Sequence, residues 1–263
     1  MGEIVLKVKE QPQVGLEAEV IKPEEFAGRT IEEIKELSVF CGNRASKLGD
    51  FFEVSGSKTD NAEELKVVID GDVSRTKRIG EKMSTGEIVI KGNAGMYVGA
   101  WMSGGKIIVE GNVDSFAGLQ MRGGELVIKG NAGDYLGASY RGDWRGMSGG
   151  KIIVEGDAGK EIGVFMSGGE IHVKGNCGAF AGVHMKKGLI VIGGDAAERL
   201  GAEMKGGNIV VLGSTVSMLP SFKLEGEVSN LKLDGGEFLG KFKKYVGDFA
   251  EGQTVKGTVY CKL

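Results

Sequence analysis

The chain has 263 residues, 41% hydrophobic and 7% aromatic, enough to bury a full core and ordinary for a globular protein. A net charge of -3 lacks the basic excess of a nucleic-acid-binding face, and neither an apolar run of about 18 residues nor a signal-peptide pattern occurs, so a cytoplasmic protein that binds neither nucleic acid nor membrane is expected. Cys41, Cys177 and Cys261 are far apart and in no CxxC spacing, which offers no iron–sulfur or zinc motif and points to a reducing compartment.

From the N-terminus, residues 2–9 (GEIVLKVK) alternate like a strand. Thr30 with Glu33 is a capping-box pattern that opens a short helix through Ile34 and Leu37, with Gly42 as its expected end. Residues 58–64 (KTDNAEE) read as a polar loop, and 65–71 (LKVVIDG) as a degenerate first copy of a repeated unit.

Between Gly80 and Gly213 one pattern, Gly/Trp-x-x-Met-x-x-Gly-x-Ile/Leu-x-Ile/Val-x-Gly, is written seven times. Its methionines are Met83, Met102, Met121, Met147, Met166, Met185 and Met204, spaced 19, 19, 26, 19, 19 and 19. A fixed period of this size marks a solenoid, whose units bury their apolar faces only against neighbours. The five residues between glycines, as in Glu87-Ile88-Val89-Ile90-Lys91, are too short for a helix and read as one strand per repeat. Stacked in parallel and in register, equivalent residues would lie about 4.8 Å apart, so like charges would repel. The first strand position reads Glu87, Lys106, Glu125, Lys151, Glu170 and the fifth reads Lys91, Glu110, Lys129, Glu155, Lys174, alternating in opposite phase as such stacking requires.

A right-handed parallel β-helix of about seven 19-residue turns is therefore expected, because the hexapeptide period of left-handed helices and the calcium-binding nonapeptide are both missing. The chain divides into a small α/β lead-in over 1–63, the β-helix over 64–213 with a loop insertion at 138–146, and a capping tail over 214–263. In the tail, Phe238, Phe242, Tyr245 and Phe249 recur at helix-like spacing, although Gly240 and Gly247 oppose a helix.

The methionines fill the interior at a corner, and the overlapping Gly-x-x-G-x-x-x-G pattern is corner geometry, since no copy carries the Lys-Ser/Thr of a phosphate-binding loop. His172 and His184 have no Cys, His or carboxylate companion at metal-ligand spacing, so no metal, cofactor or catalytic residue is expected on this chain. Two surfaces are candidate partner interfaces. The insertion carries Tyr140, Arg141, Asp143, Trp144 and Arg145, an aromatic and arginine cluster of the kind found at binding hot spots. If alternate strand residues point outward, Val89, Ile108, Val127, Ile153, His172, Val191 and Val210 form an outward, mostly apolar stripe that the chain's own ends or a partner must cover.

The Gly-x-x-Met-x-x-Gly repeats, the interrupting YRGDWRGMSGG and the lead-in EQPQVGLEAEVIKPEEFAG together closely resemble the C-subunit family of formylmethanofuran dehydrogenase, over essentially the whole chain. The repeat alone is shared with the C-terminal β-helix domain of glutamate synthase, the alternative reading; the insertion and lead-in separate the two. The resemblance implies a non-catalytic β-helical scaffold in an archaeal complex that reversibly reduces CO2 and attaches the formyl group to methanofuran. Other members of that complex are expected to carry a tungsten- or molybdenum-pterin, iron–sulfur clusters and the dinuclear metal site of an amidohydrolase-like subunit. Arg141 and Arg145, exposed beside an interface, also suggest a contact with the anionic tail of methanofuran.

Overall fold

The computed structural model describes residues 2–263 and is mainly β, organised around one sheet of thirteen strands. Strand β1 (Gly2–Val8) forms where alternation predicts it, and a two-residue β2 (Leu16–Glu17) and a short helix α1 (Pro23–Phe26) follow. Helix α2 (Ile31–Lys35) opens with the full capping box: the Thr30 side chain accepts from the Glu33 amide, and the Glu33 carboxylate accepts from the Thr30 amide at 2.7 Å.

That helix stops well before Gly42, contrary to the sequence reading. The β-prone run Ser38–Cys41 forms β3 instead, hairpinned to β4 (Arg44–Lys47), and Gly42 takes a positive φ of 61° in the turn between them. Helix α3 (Leu48–Phe51) and β5 (Phe52–Gly56) complete the lead-in. β5 lies antiparallel on β1, and β1 lies parallel on β6 (Leu65–Asp70), so the lead-in continues the main sheet at one end. The lead-in is also pinned by Glu24, whose Oε1 accepts from the Ser84 hydroxyl at 2.7 Å and the Thr85 amide at 3.1 Å. A short β7 (Thr76–Lys77) closes a second sheet in the order β4-β3-β2-β7.

Each repeat then contributes one strand: β8 (Glu87–Ile90), β9 (Ser103–Val109), β10 (Arg122–Ile128), β11 (Ser148–Val154), β12 (Ser167–Val173), β13 (Lys187–Ile192) and β14 (Asn208–Val211). They pair in parallel and in the register that the charges demand: Glu87 opposite Lys106, Lys106 opposite Glu125, Glu125 opposite Lys151, Lys151 opposite Glu170. The ladders resolve into discrete pairs, Lys106–Glu125 at 2.8 Å and Lys151–Glu170 at 3.1 Å on one side, Glu110–Lys129 at 3.3 Å and Glu155–Lys174 at 3.0 Å on the other. Lys66–Glu87 at 3.4 Å carries the first ladder back into β6.

A second parallel ladder of single bridges links Val73, Ala94, Val113, Ala132, Ala158, Cys177, Ala196 and Thr215, one per repeat. Cys177 thus takes an alanine's place in a column of small residues, and burial pushes its thiol up to about 12. Just before this column an Asx ladder ties repeat to repeat: the Asn93 side chain accepts from the Asn112 amide at 2.8 Å, Asn112 from Asn131 at 2.8 Å, and Asp157 from Asn176 at 2.7 Å.

All seven repeat methionines are fully buried. The packing is close at this corner, where a Cβ built on Gly124, at φ 79°, would lie 2.7 Å from the Met102 methyl and 2.8 Å from the Gly104 carbonyl oxygen.

The tail is extended, not helical. β15 (Lys223–Leu233) and β16 (Gly236–Gly247) form a long hairpin, and β17 (Gly257–Lys262) joins it to the repeats by pairing antiparallel with β16 and parallel with β14. A spacing of four puts Phe238 and Phe242 on one face of a strand as well as of a helix, and the glycines that disfavour a helix are tolerated here. Phe249 lies beyond the strand in a short 3-10 turn. Among the described residues no helix is long and apolar enough to cross a membrane.

Candidate functional site

Strand alternation turns positions one, three and five of each repeat to the outer face of the sheet, where from β8 to β12 the first and fifth are charged and the third is apolar except at His172. The apolar stripe lies there, with an exposure that changes along the sheet. Ile108, Val127, Ile153 and His172 are half-buried, Val89 is 9% exposed, and Val191 and Val210 are buried. At Val191 and Val210 the tail makes the difference: Leu231 and Phe242 of the hairpin and Tyr260 of β17 close a small core over Leu189, Val191 and Val210.

The sequence marks where that cover begins. The first strand position, charged from Glu87 to Glu170, becomes Leu189 and then Asn208, and the fifth becomes Gly193 and Leu212. At the edge of the cover His172 Nε2 lies 2.9 Å from Glu170 Oε2, and elsewhere in the repeat His184 Nδ1 lies 3.4 Å from Glu203 Oε2, so both histidines do have carboxylate partners. The reading that they lack one overlooked residues two apart on a strand face and one repeat apart in the stack. Burial works against the Glu170 carboxylate, but the hydrogen bonds from His172 and Lys151 outweigh it and hold the group below the usual range.

The second surface precedes each methionine and was not read from the sequence. Besides glycines, two backbone positions in most repeats take positive φ, and rings fill most of them: Tyr97 (66°), Phe116 (65°), Tyr135 (64°) and Phe180 (64°) in one column, Trp101 (56°), Phe165 (57°) and His184 (56°) in the next. Such a conformation costs a non-glycine residue roughly 1 kcal/mol, so something must hold it. Stacking does so here: Tyr97 and Phe116 lie 5.1 Å apart at 14°, and Phe116 and Tyr135 lie 4.7 Å apart at 5°. In the neighbouring column Phe165 stacks on His184 at 4.3 Å. The missed signal is the aromatic spacing, since Tyr97, Phe116 and Tyr135 repeat at the methionine period of 19.

The insertion lies on this second surface. It leaves and returns through hydrogen bonds from the Ser139 amide to the Val164 carbonyl and from the Gly146 amide to the Phe165 carbonyl, both 3.1 Å. Asp143 clasps it. Its carboxylate accepts from Arg145 Nε and Nη2, each at 2.9 Å, and from Gln120 Nε2 at 2.9 Å, while Gln120 Oε1 accepts from Trp101 Nε1 at 2.6 Å. The Arg145 guanidinium beside it, and then Gln120, hold the Asp143 carboxyl well below the usual range. Trp144 stays 64% exposed with the Lys186 ammonium 4.8 Å from its ring, and Tyr140 is 46% exposed. Arg141 lies 5.9 Å from both the Phe116 and Tyr135 rings and is free of any ion pair among the described residues, whereas Arg145 is committed to Asp143.

Tyr140, Arg141, Asp143, Trp144 and Arg145 are thus brought together with the aromatic columns, while the stripe residues lie on the strands, in a different part of each repeat. Among the described residues, no three His, Cys, Asp or Glu side chains are grouped so as to hold a metal ion.

Known proteins resemble this chain over its whole length. The family described as GXGXG motif matches residues 61–256. The C subunit of tungsten-containing formylmethanofuran dehydrogenase 2 from Methanothermobacter thermautotrophicus is 66% identical over 263 residues, covering 100% of this chain and 97% of that protein. Its counterpart from Methanothermobacter marburgensis is 65% identical with equal coverage. Among solved structures, a chain in the crystal structure of the formyltransferase/hydrolase complex from Methylorubrum extorquens, in complex with methylofuran, superposes with a TM-score of 0.86 at 26% identity, over 98% of this chain and 99% of that one. A match of this identity over the whole length takes in the repeats, the insertion and the lead-in alike, and the chain belongs to the C-subunit family of formylmethanofuran dehydrogenase.

Proposed function

We propose that this chain is a non-catalytic scaffold subunit of a formylmethanofuran dehydrogenase complex, the assembly that reversibly reduces CO2 and attaches the formyl group to methanofuran. The end-to-end similarity to proteins named as one subunit of that enzyme carries the reading. Both of those relatives are named as tungsten-containing, which favours tungsten over molybdenum in the companion pterin subunit. The geometry supports assembly as the task, because the chain's distinctive residues form extended surfaces, an apolar stripe and an aromatic column, where a catalyst would gather convergent acids and bases.

In this reading the two parallel ladders of each repeat are two faces of a right-handed β-helix spanning 64–213, and 1–63 and 214–263 cap its ends. The stripe and the 140–145 loop receive the pterin-metal, amidohydrolase-like and iron–sulfur subunits in the cytoplasm. Those companions, and methanofuran, supply the metal centres and cofactors. The glutamate-synthase alternative accounts for the repeat but for neither the insertion nor the lead-in.

The test is purification of the chain from its native source through a small affinity tag, with identification of co-eluting proteins and assay of formylmethanofuran-dependent dye reduction. Co-elution with a pterin-metal and an amidohydrolase-like subunit, and activity that needs them, is expected. Recovery alone, or with a glutamine amidotransferase, overturns the reading.

A further inference from the structure

The aromatic column has a consistent partner chemistry. Guanidinium groups of this chain lie against it: Arg78 is 5.1 Å from the Tyr97 ring and Arg199 is 5.2 Å from Phe180, at its two ends, and Arg141 sits beside the stacked Phe116 and Tyr135 rings at 5.9 Å from each. A ring's negative face attracts such cations, and a planar guanidinium stacks on it best.

The column has one break. Between Tyr135 and Phe180, two repeats apart, the ring position is occupied by Glu161, which keeps the column's backbone conformation at φ 59°. Glu161 Oε1 accepts a hydrogen bond from the Tyr135 hydroxyl at 3.2 Å, and the carboxylate has no ion pair among the described residues. Two shallow depressions meet on it, one bounded by Tyr135, Tyr140 and Trp144, the other by Phe180 and His184, with Phe165 shared. Rings two repeats apart stand roughly 9.6 Å apart, twice the strand spacing, which leaves room over the carboxylate for one planar group.

Three neighbouring cations are already engaged, Arg145 with Asp143 at 2.9 Å, Lys160 with Asp134 at 4.0 Å and Lys186 over the Trp144 ring, while Arg141, which borders the same depression, lies beside the Phe116 and Tyr135 rings and makes no ion pair with Glu161. We infer that the Glu161 notch is a socket for an arginine side chain presented by a companion subunit, seated between Tyr135 and Phe180 and paired with the Glu161 carboxylate. Charge complementarity identifies the occupant, since the column carries cations of its own at its two ends, Arg78 and Arg199, and an anion with no ion pair among the described residues here. A carboxylate or phosphate would meet Glu161 with the wrong sign. The inference rests on the scaffold reading and adds the chemistry by which one partner is recognised.

The test compares tagged wild-type chain with Glu161→Gln, which keeps the hydrogen bond to Tyr135 and removes the charge. Each is measured for its dissociation constant with the companion subunits of the complex, identified by mass, at low and high salt. About 30-fold weaker association is expected for the variant at low salt, with a flatter salt dependence and an unchanged unfolding midpoint. Association within twofold of wild type, or a loss that does not depend on salt, overturns the socket while leaving the scaffold reading in place. A wild-type chain that retains no companion subunit overturns both.

Discussion

Gly124 and Gly142 provide a matched pair for the packing of the repeats. Both have φ of 79°, so alanine at either meets the same backbone penalty. That penalty is about 1 kcal/mol, partly offset by the narrower unfolded ensemble that alanine gives. Around Gly142 nothing lies within 4 Å of a new Cβ, whereas at Gly124 the Cβ would lie 2.7 Å from the Met102 methyl and 2.8 Å from both atoms of the Gly104 carbonyl. A methyl side-chain end can swing aside, but a backbone carbonyl in the neighbouring repeat cannot, so overpacking adds roughly 2 to 3 kcal/mol at Gly124 alone. Gly142→Ala should therefore cost at most about 1 kcal/mol and Gly124→Ala roughly 3 to 4 kcal/mol. In thermal unfolding of the full chain the two variants should differ by roughly 5 to 10 °C. Equal midpoints would refute the claim that one repeat's corner closes directly on the next.

Three further outcomes are expected. Lys106→Glu places like charges in register with Glu87 and Glu125, and it should cost roughly 0.5 to 1 kcal/mol in urea unfolding, part of which Glu125→Lys restores; zero coupling in the double-mutant cycle contradicts the ladder. With a thiol reagent at pH 8, half-buried Cys41 should react first, while Cys177, pushed up to about 12 by burial, and buried Cys261 should react only on unfolding; native-rate labelling of Cys177 contradicts its place in the alanine column. Asp143 has a folded pKa below its ordinary 3.8, so the stability it lends the insertion is complete above that value and is lost as pH falls through the depressed one. Fluorescence of Trp101 and Trp144, which flank the Asp143 network, should hold steady below pH 4 and change only in stronger acid, and a midpoint near 4 would contradict the clasp.

The period made much of the fold legible in the residues alone. A strict 19-residue repeat turns each column into a test of stacking, so the methionine interior, the strand register and the alternating charges could all be read, as could the insertion that breaks the spacing. The aromatic column obeys the same period, but its residues sit at positive φ, where glycine or asparagine would be expected, and pattern reading does not look for rings there. Phe238 and Phe242 fit helix and strand alike because they are four apart, the step of three to Tyr245 fits only a helix face, and the long-range pairing of β17 with β14 and β16 puts the segment in the sheet with Tyr245 on the opposite face. Gly42 reads equally as a helix end or a hairpin turn, since both use a left-handed glycine. The insertion of β1 between β5 and β6 is non-local and left no local trace.

The proposed scaffold role has the chain assemble a catalyst without taking part in the chemistry. The most direct measurement is formylmethanofuran-dependent dye reduction, normalised to the amount of assembled complex, for complexes carrying Glu161→Gln, Arg141→Ala or Trp144→Ala. The account predicts that the yield of complex falls while activity per assembled complex and the KM for methanofuran stay at the wild-type value. A fall in activity per complex, or a raised KM with assembly intact, would place residues of this chain in the reaction path and contradict it.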